Sequence, residues 1–317
     1  MKVIPPSWEI MEGLDAESPA VRIERCGRLC YKSEDKITEE SAPGFVRKIV
    51  KHGHNSVVEM AVVTLQIDLD LESQATHFFA AQPRFFQIDR PEKKRLLITG
   101  SMRAFRELYI DYGKLKVVKA AIEFLARRHP LFFEDLLPRH GLLPQQGVEV
   151  QKVPLEEVDG FSLDLKARHR YTAVKFTVNR AVSHEIVRHR PCSFLQESQR
   201  YCRYSNEKFG SEVTFIKPMF FAEGSPEYEE WRKAMEETEG IYLKLLETSS
   251  PQAARTVLPN SCKTEIIVYA NLLEWLHIFR LRTSRGADPS MREVMIPLLS
   301  DFKMKFPGIF DYVAVES

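Results

Sequence analysis

Cysteine is scarce and unpatterned in this chain of 317 residues: Cys26, Cys30, Cys192, Cys202 and Cys262 are odd in number and include no Cys-x-x-Cys pair. That disfavours a disulfide scaffold and a thiolate zinc site, and makes a reducing cytoplasm the expected compartment. Charge of one sign is also lacking, with 45 basic against 44 acidic residues and a formal net charge of +1. A general nucleic-acid binder carries a clear basic excess, so that class is disfavoured. No apolar run approaches the ~20 residues of a membrane helix, and the opening Met-Lys-Val-Ile-Pro-Pro-Ser-Trp-Glu lacks the apolar centre of a signal peptide. Neither a Gly-x-Gly-x-x-Gly nor a P-loop occurs, which removes a conventional Rossmann or nucleoside-triphosphate site. No internal repeat and no low-complexity linker stand out. The expectation is a soluble protein that binds a discrete small anion.

What is present is concentrated in residues 188–205, Arg-His-Arg-Pro-Cys-Ser-Phe-Leu-Gln-Glu-Ser-Gln-Arg-Tyr-Cys-Arg-Tyr-Ser. Guanidinium groups at Arg188, Arg190, Arg200 and Arg203 flank hydroxyls at Ser193, Ser198, Tyr201 and Tyr204. Arginine offers a planar fork of donors that matches phosphate and carboxylate oxygens, and hydroxyls add donors without charge. An ion-paired surface would also be arginine-rich, and the chain contains its own control. Arg168-His169-Arg170 repeats the triplet, but the alternating, β-branched Tyr-Thr-Ala-Val-Lys-Phe-Thr-Val follows it and no serine lies at the Arg190–Ser198 spacing. The triplet alone therefore carries no information; the triplet with its serine does. Residues 178–187 have helical spacing, and Pro191 ends that helix, which leaves Arg188-His189-Arg190 at its C-terminal end.

Along the chain, 17–31 and 41–51 predict short amphipathic helices, and 62–69 and 170–177 predict strands. A helical stretch is expected over 99–128 with a break at Gly113, then an irregular proline- and glycine-containing excursion over 130–160. Residues 209–221 mix strand and loop character. Ser225-Pro226-Glu227 predicts a helix start, running to about Glu247. A further helix is expected from about Ser261 to Arg282, and another from Asp288-Pro289 to near Pro307. These elements read as an α+β fold with a helical insertion between the first strands. The whole chain, 1–317, reads as one domain with an inserted excursion at about 70–165.

Other polar groups are weaker signals. His54, Ser56 and Glu59 form a compact set that a turn and capping box would also explain, with Ser56 as the cap. Gly100-Ser101 opens a helix. Asn271 and Arg282 are eleven residues apart, about three helical turns, and share a helix face on that reading. Glu274 would pair with Arg280, and Lys263 with nearby acids. His184, His189 and His277 are each capable of general-base work, since imidazole titrates near neutrality.

Assembled, these blocks resemble the flavin-dependent thymidylate synthases, the ThyX family. The signature Arg-His-Arg, seven residues, then Ser is met by Arg188-His189-Arg190 through Ser198. It is joined by Cys30-Tyr31-Lys32-Ser33, by His54-Asn55-Ser56-Val57-Val58-Glu59, by Ala254-Arg255-Thr256-Val257-Leu258-Pro259, and by Asn271 with Leu281-Arg282. The resemblance implies a mixed sheet with long flanking helices, and a homotetramer with active sites where subunits meet. It implies reductive methylation of dUMP to dTMP, with 5,10-methylenetetrahydrofolate as carbon donor and FAD, reduced by NADPH, as hydride carrier. By position it implies FAD contacts for Cys30, Ser56, Arg188, His189, Arg190, Asn271 and His277. It implies dUMP contacts for Glu185, Arg188, Ser198, Arg200, Arg255 and Arg282, with Arg282 and His54 as the catalytic residues and no metal. Several positions depart from the family pattern: the acid at Gln196-Glu197 is shifted by one, Met60 stands for a histidine, and Asp288 and Ser290 replace a histidine and a glutamine. A nucleotide- and flavin-binding relative with impaired catalysis is the alternative those departures keep open.

Overall fold

A computed structural model describes residues 1–138, 140–200 and 212–315. Tyr201, Cys202, Arg203 and Tyr204, part of the arginine–tyrosine stretch, lie outside the described residues. The chain divides into two compact units, one of Met1–Met11, Arg28–Ser33 and Ala173–Ser317, the other of Glu12–Gly27 and Glu34–Thr172.

The first unit is built on a four-stranded sheet in the order Ser7–Ile10, Tyr171–Asn179, Lys263–Asn271, Ser193–Gln196. Each of the two central strands runs directly into a helix through an asparagine. Asn179 Oδ1 accepts from the Val182 amide at 2.8 Å and Asn271 Oδ1 from the Glu274 amide at 2.8 Å. Each thereby satisfies a donor that the helix start leaves unpaired. The helices that follow are Arg180–Ile186 and Leu272–Arg282, and Pro289–Lys305 packs against the second. Trp275, Phe279, Phe302 and Phe310 fill the space between them, all essentially inaccessible, with ring centroids 5.0–5.7 Å apart along the stack. Edge-on and tilted aromatic pairs at such separations add to the burial term.

The second unit has an antiparallel sheet in the order Phe86–Glu92, Arg95–Ser101, Val62–Leu69, Val148–Val153. Ser101 Oγ accepts from the Ala104 amide at 3.1 Å and opens the helix Met102–Tyr112, which is followed by Lys116–Arg128. Gly100 has to be glycine, because a Cβ there would stand 2.4 Å from the Phe86 ring across the sheet.

The α+β class holds, and several elements differ from expectation. The inserted region is not simply helical: it supplies the strands Phe86–Glu92, Arg95–Ser101 and Val148–Val153, the last inside the stretch expected to be irregular. The single helix expected over 261–282 is a strand, Lys263–Asn271, followed by the helix Leu272–Arg282. Ile266, Ile267, Val268 and Tyr269 are buried in succession. A strand covered on both faces shows no alternation to separate it from a buried helix. Ser56 is not the cap of the short helix Asn55–Val58; His54 occupies that position, and Glu59 turns instead to Arg103 at 2.6 Å.

Candidate functional site

In the first unit the helix Arg180–Ile186 and the turn after it face the C-terminal end of Leu272–Arg282. Arg282 ties them together. Its Nη1 donates to Glu185 Oε2 at 2.6 Å, its Nη2 to the Glu185 carbonyl at 3.1 Å, and its Nε to His189 Nε2 at 2.9 Å. Among the described residues three of its five N–H groups are thus used, which leaves one on each terminal nitrogen. The guanidinium is oriented by the protein and still has donors to offer.

His189 is buried, and its Nε2 accepts from arginine, so the ring is neutral with its proton on Nδ1. Burial, reinforced by the Arg282 charge and by His277, lowers its pKa to about 4. The His277 ring lies edge-on to it at 5.9 Å, and Glu274 completes the group, with one nitrogen or oxygen from each of the three side chains lying within 4.8 Å of the others. Glu274 is buried, its Oε1 has no hydrogen-bond partner among the described residues, and burial raises its pKa to about 7. Two imidazoles and a carboxylate are metal-ligating types, but His189 Nε2 is taken by Arg282 and Nδ1 carries the proton. The neighbouring guanidinium opposes a cation as well. The group suits hydrogen bonding to a ligand.

Arg188 and Arg190 are exposed, and neither forms an ion pair among the described residues. Arg255 begins the short turn Arg255–Val257, half-buried and likewise without an ion pair among the described residues. The other triplet behaves in the opposite way. Arg168 pairs with Asp89 at 3.0 Å and Asp164 at 2.6 Å, and Arg170 with Asp15 at 2.8 Å and Asp159 at 3.0 Å. His169 Nε2 lies 2.8 Å from Asp89 and its Nδ1 2.8 Å from Thr99 Oγ1. One triplet is consumed by internal partners; among the described residues the guanidiniums of the other are without ion pairs.

The signature serine sits beside the Cys30 block. The Ser198 amide donates to the Cys30 carbonyl at 3.0 Å, and the Ser198 hydroxyl accepts from the Arg200 amide at 3.3 Å. The displaced acid before it points inward. Glu197 is buried and receives Lys263 Nζ at 2.8 Å, while Lys263 also reaches Glu265 at 2.9 Å and Lys32 reaches Glu265 at 2.6 Å. Gln196 donates to Ser183 Oγ at 2.9 Å and Thr264 Oγ1 at 3.1 Å. The Gln196-Glu197 departure is therefore structural: the pair fastens the edge strand, and the acid does not face a ligand.

The structure thus brings Glu185, His189, His277 and Arg282 together, and places Ser198 beside Cys30. Asn271 caps the helix that carries Arg282. His54 and Ser56 belong to the other unit, both exposed, at the start of Asn55–Val58. Met60 is fully buried in that unit's core. Sequence reasoning missed Glu274 as a member of the site and assigned it to Arg280. Arg280 instead stacks over the Tyr312 ring at 5.3 Å. The available signal was an acid on a helix whose other residues include Leu272, Trp275, Leu276, Ile278 and Phe279, all buried.

The family model for thymidylate synthase complementing protein matches residues 14–76 and 167–308. More than half of the chain is covered, and the chain belongs to this family. A flavin-dependent thymidylate synthase of Pyrococcus furiosus is 38% identical over 124 residues, 39% of this chain and 50% of that protein. Those of Corynebacterium glutamicum and Geobacter sulfurreducens are 32% and 34% identical over 156 and 134 residues, covering 44% and 42% of this chain and 60% and 56% of theirs. The chain spans about half the length of the curated relatives it matches.

Proposed function

We propose that the protein is a flavin-dependent thymidylate synthase, converting dUMP to dTMP with 5,10-methylenetetrahydrofolate and NADPH. The observation that carries this reading is the Arg282–Glu185–His189 knot beside exposed guanidiniums at Arg188 and Arg190. A flavin dinucleotide brings a pyrophosphate that suits those guanidiniums and ring N–H groups that suit a buried acceptor such as Glu274 Oε1. The residues present therefore fit the group, with Arg188, His189, Arg190, Asn271, His277 and Cys30 as the residues that would hold it, together with Ser56. Bound there, FAD would carry hydride from NADPH.

This chain's own residues supply anion binding and electrostatics. Ser198, Arg200 and Arg255 hold the dUMP phosphate, and Arg188 and Glu185 the remainder of the nucleotide. Arg282, fixed by three hydrogen bonds, directs its two remaining N–H groups at negative charge developing on the uracil. A preorganised donor is worth more there than a mobile one. His54 places the folate. Cytoplasmic localisation and a homotetrameric assembly belong to the same reading.

Purified protein should be yellow, bleach under NADPH, and form dTMP when dUMP and methylenetetrahydrofolate are added. A colourless protein that cannot be loaded with FAD would refute the proposal. Arg282→Ala should lower dTMP formation by about 10²–10³, the usual cost of one oriented donor, with the fold retained. Flavin reduction without dTMP would favour the relative with impaired catalysis.

A further inference from the structure

The two sheets are the same sheet. Each has two central strands that run into a helix, and in each the first helix leads to an edge strand pairing with the second central strand. Val62–Leu69 and Tyr171–Asn179 show the same order of buried and half-buried positions over their common length. Leu96-Leu97-Ile98 and Ile266-Ile267-Val268 are buried alike before the caps Ser101 and Asn271, and the helices that follow are both 11 residues long. In the next helix Val117, Val118, Ala121, Ile122 and Leu125 are buried in one copy, and Val294, Met295, Leu298, Leu299 and Phe302 at the same spacing in the other. Both helices end in an aromatic ring and a proline, His129-Pro130 and Phe306-Pro307, with matching amide bonds: Phe132 to the His129 carbonyl and Ile309 to that of Phe306, then Leu136 to Phe133 and Val313 to Phe310. Agreement at every level from register to single amides is not what chance reuse of a motif produces.

The fourth strands complete the pattern by crossing over. Ser7–Ile10 precedes the N-terminal copy yet pairs with Tyr171–Asn179, while Val148–Val153 precedes the C-terminal copy yet pairs with Val62–Leu69. The registers coincide: Trp8 lies opposite Phe176 where Val150 lies opposite Ile67, and Ile10 opposite Val174 where Lys152 lies opposite Leu65.

Counting from the helix caps, the N-terminal copy has His77 for Glu185, Ala80-Ala81-Gln82 for Arg188-His189-Arg190, Ala104 for Glu274 and Tyr112 for Arg282. Core positions match and site positions do not. Ala104 is informative, since it shows that the helix packs without a buried acid at that place.

We infer that the chain is a tandem duplication whose copies exchange their leading strands, and that only the C-terminal copy retains the anion site, so that one chain holds one dUMP. This rests on the reading of the C-terminal site as a dUMP site. Calorimetric titration of dUMP into the FAD-loaded full chain should give one site per chain, and Arg282→Ala should weaken that one transition at least tenfold with no second transition left. Two sites per chain, or a full-strength site surviving in Arg282→Ala, would overturn the silent copy while leaving the functional reading intact. No binding by FAD-loaded wild type would remove both. For the exchange, Glu9→Cys with Lys175→Cys, opposite one another across the strand pair, should form a disulfide within one chain; failure to oxidise, or a bond only between chains, would refute it.

Discussion

At the scale of single residues, what separates site from scaffold is whether a polar group has an internal partner. Arg168 and Arg170 are neutralised by aspartates, and Arg188 and Arg190 form no ion pair among the described residues. The same contrast holds between two buried acids. Glu197 is held by Lys263, whereas Glu274 has an oxygen with no donor among the described residues and a pKa raised by burial to about 7. Its native state retains a proton that the unfolded chain releases near 4.5. Native binding then exceeds unfolded binding between those values, so this group lowers stability as pH rises from about 4.5 to 7. His189, with its pKa lowered to about 4, acts in the opposite sense and removes stability as pH falls from about 6.5 to 4. Glu274→Gln keeps the shape of the protonated acid and removes only the first trend. Its melting temperature should gain on that of wild type between pH 5 and pH 8; a difference unchanged between the two pH values would show that Glu274 does not titrate in that window.

At the scale of elements, legibility depended on whether a segment has two environments or one. Val62–Leu69 alternates because one face is less buried, and Pro226–Thr248 announces itself with Ser225 and a proline at its first position. The strand Lys263–Asn271 is enclosed on both sides, and its apolar run was merged with the helix after it. The cap at Asn271 was visible as a residue but read as part of a helix face. The Lys263–Glu265 pair is the nearby-acid pairing expected from the sequence, while the links to Glu197 and from Lys32 are long-range features that spacing cannot show. The energetic weight of the Glu197 link can be measured. Lys263→Met removes the Lys263–Glu197 pair, whose carboxylate is wholly inside the protein, and breaking a buried pair from one side costs about 3–5 kcal/mol. Urea denaturation should show a loss of that order, with the edge strand Ser193–Gln196 and the adjoining Ser198 losing protection from hydrogen exchange. A loss below about 1 kcal/mol would place the pair in the surface class.

At the scale of the whole molecule, the arginine signature and the α+β class could be read from the chain, and the duplication was not. Its physical cause is that function and packing diverged at different rates between the copies. The residues that attract notice, arginines and histidines, are those the N-terminal copy lacks, while the shared positions are aliphatic and interchangeable. Spacing also hides the repeat: the edge strand and second central strand are joined by Lys93-Lys94 in one copy and by the whole of 197–262 in the other. The exchanged strands give the duplication a mechanical consequence. Each half-chain lacks the fourth strand of its own sheet and carries the fourth strand of the other, so neither half can complete a sheet alone. A protease site placed in the exposed 141–147 segment, where Leu143 is 76% accessible, should yield a nicked protein that elutes at the volume of the intact one and melts cooperatively. The half-chains expressed separately should be unfolded or aggregated and should regain structure on mixing. Two halves that fold on their own, or that part after cleavage, would mean that the leading strands are not exchanged.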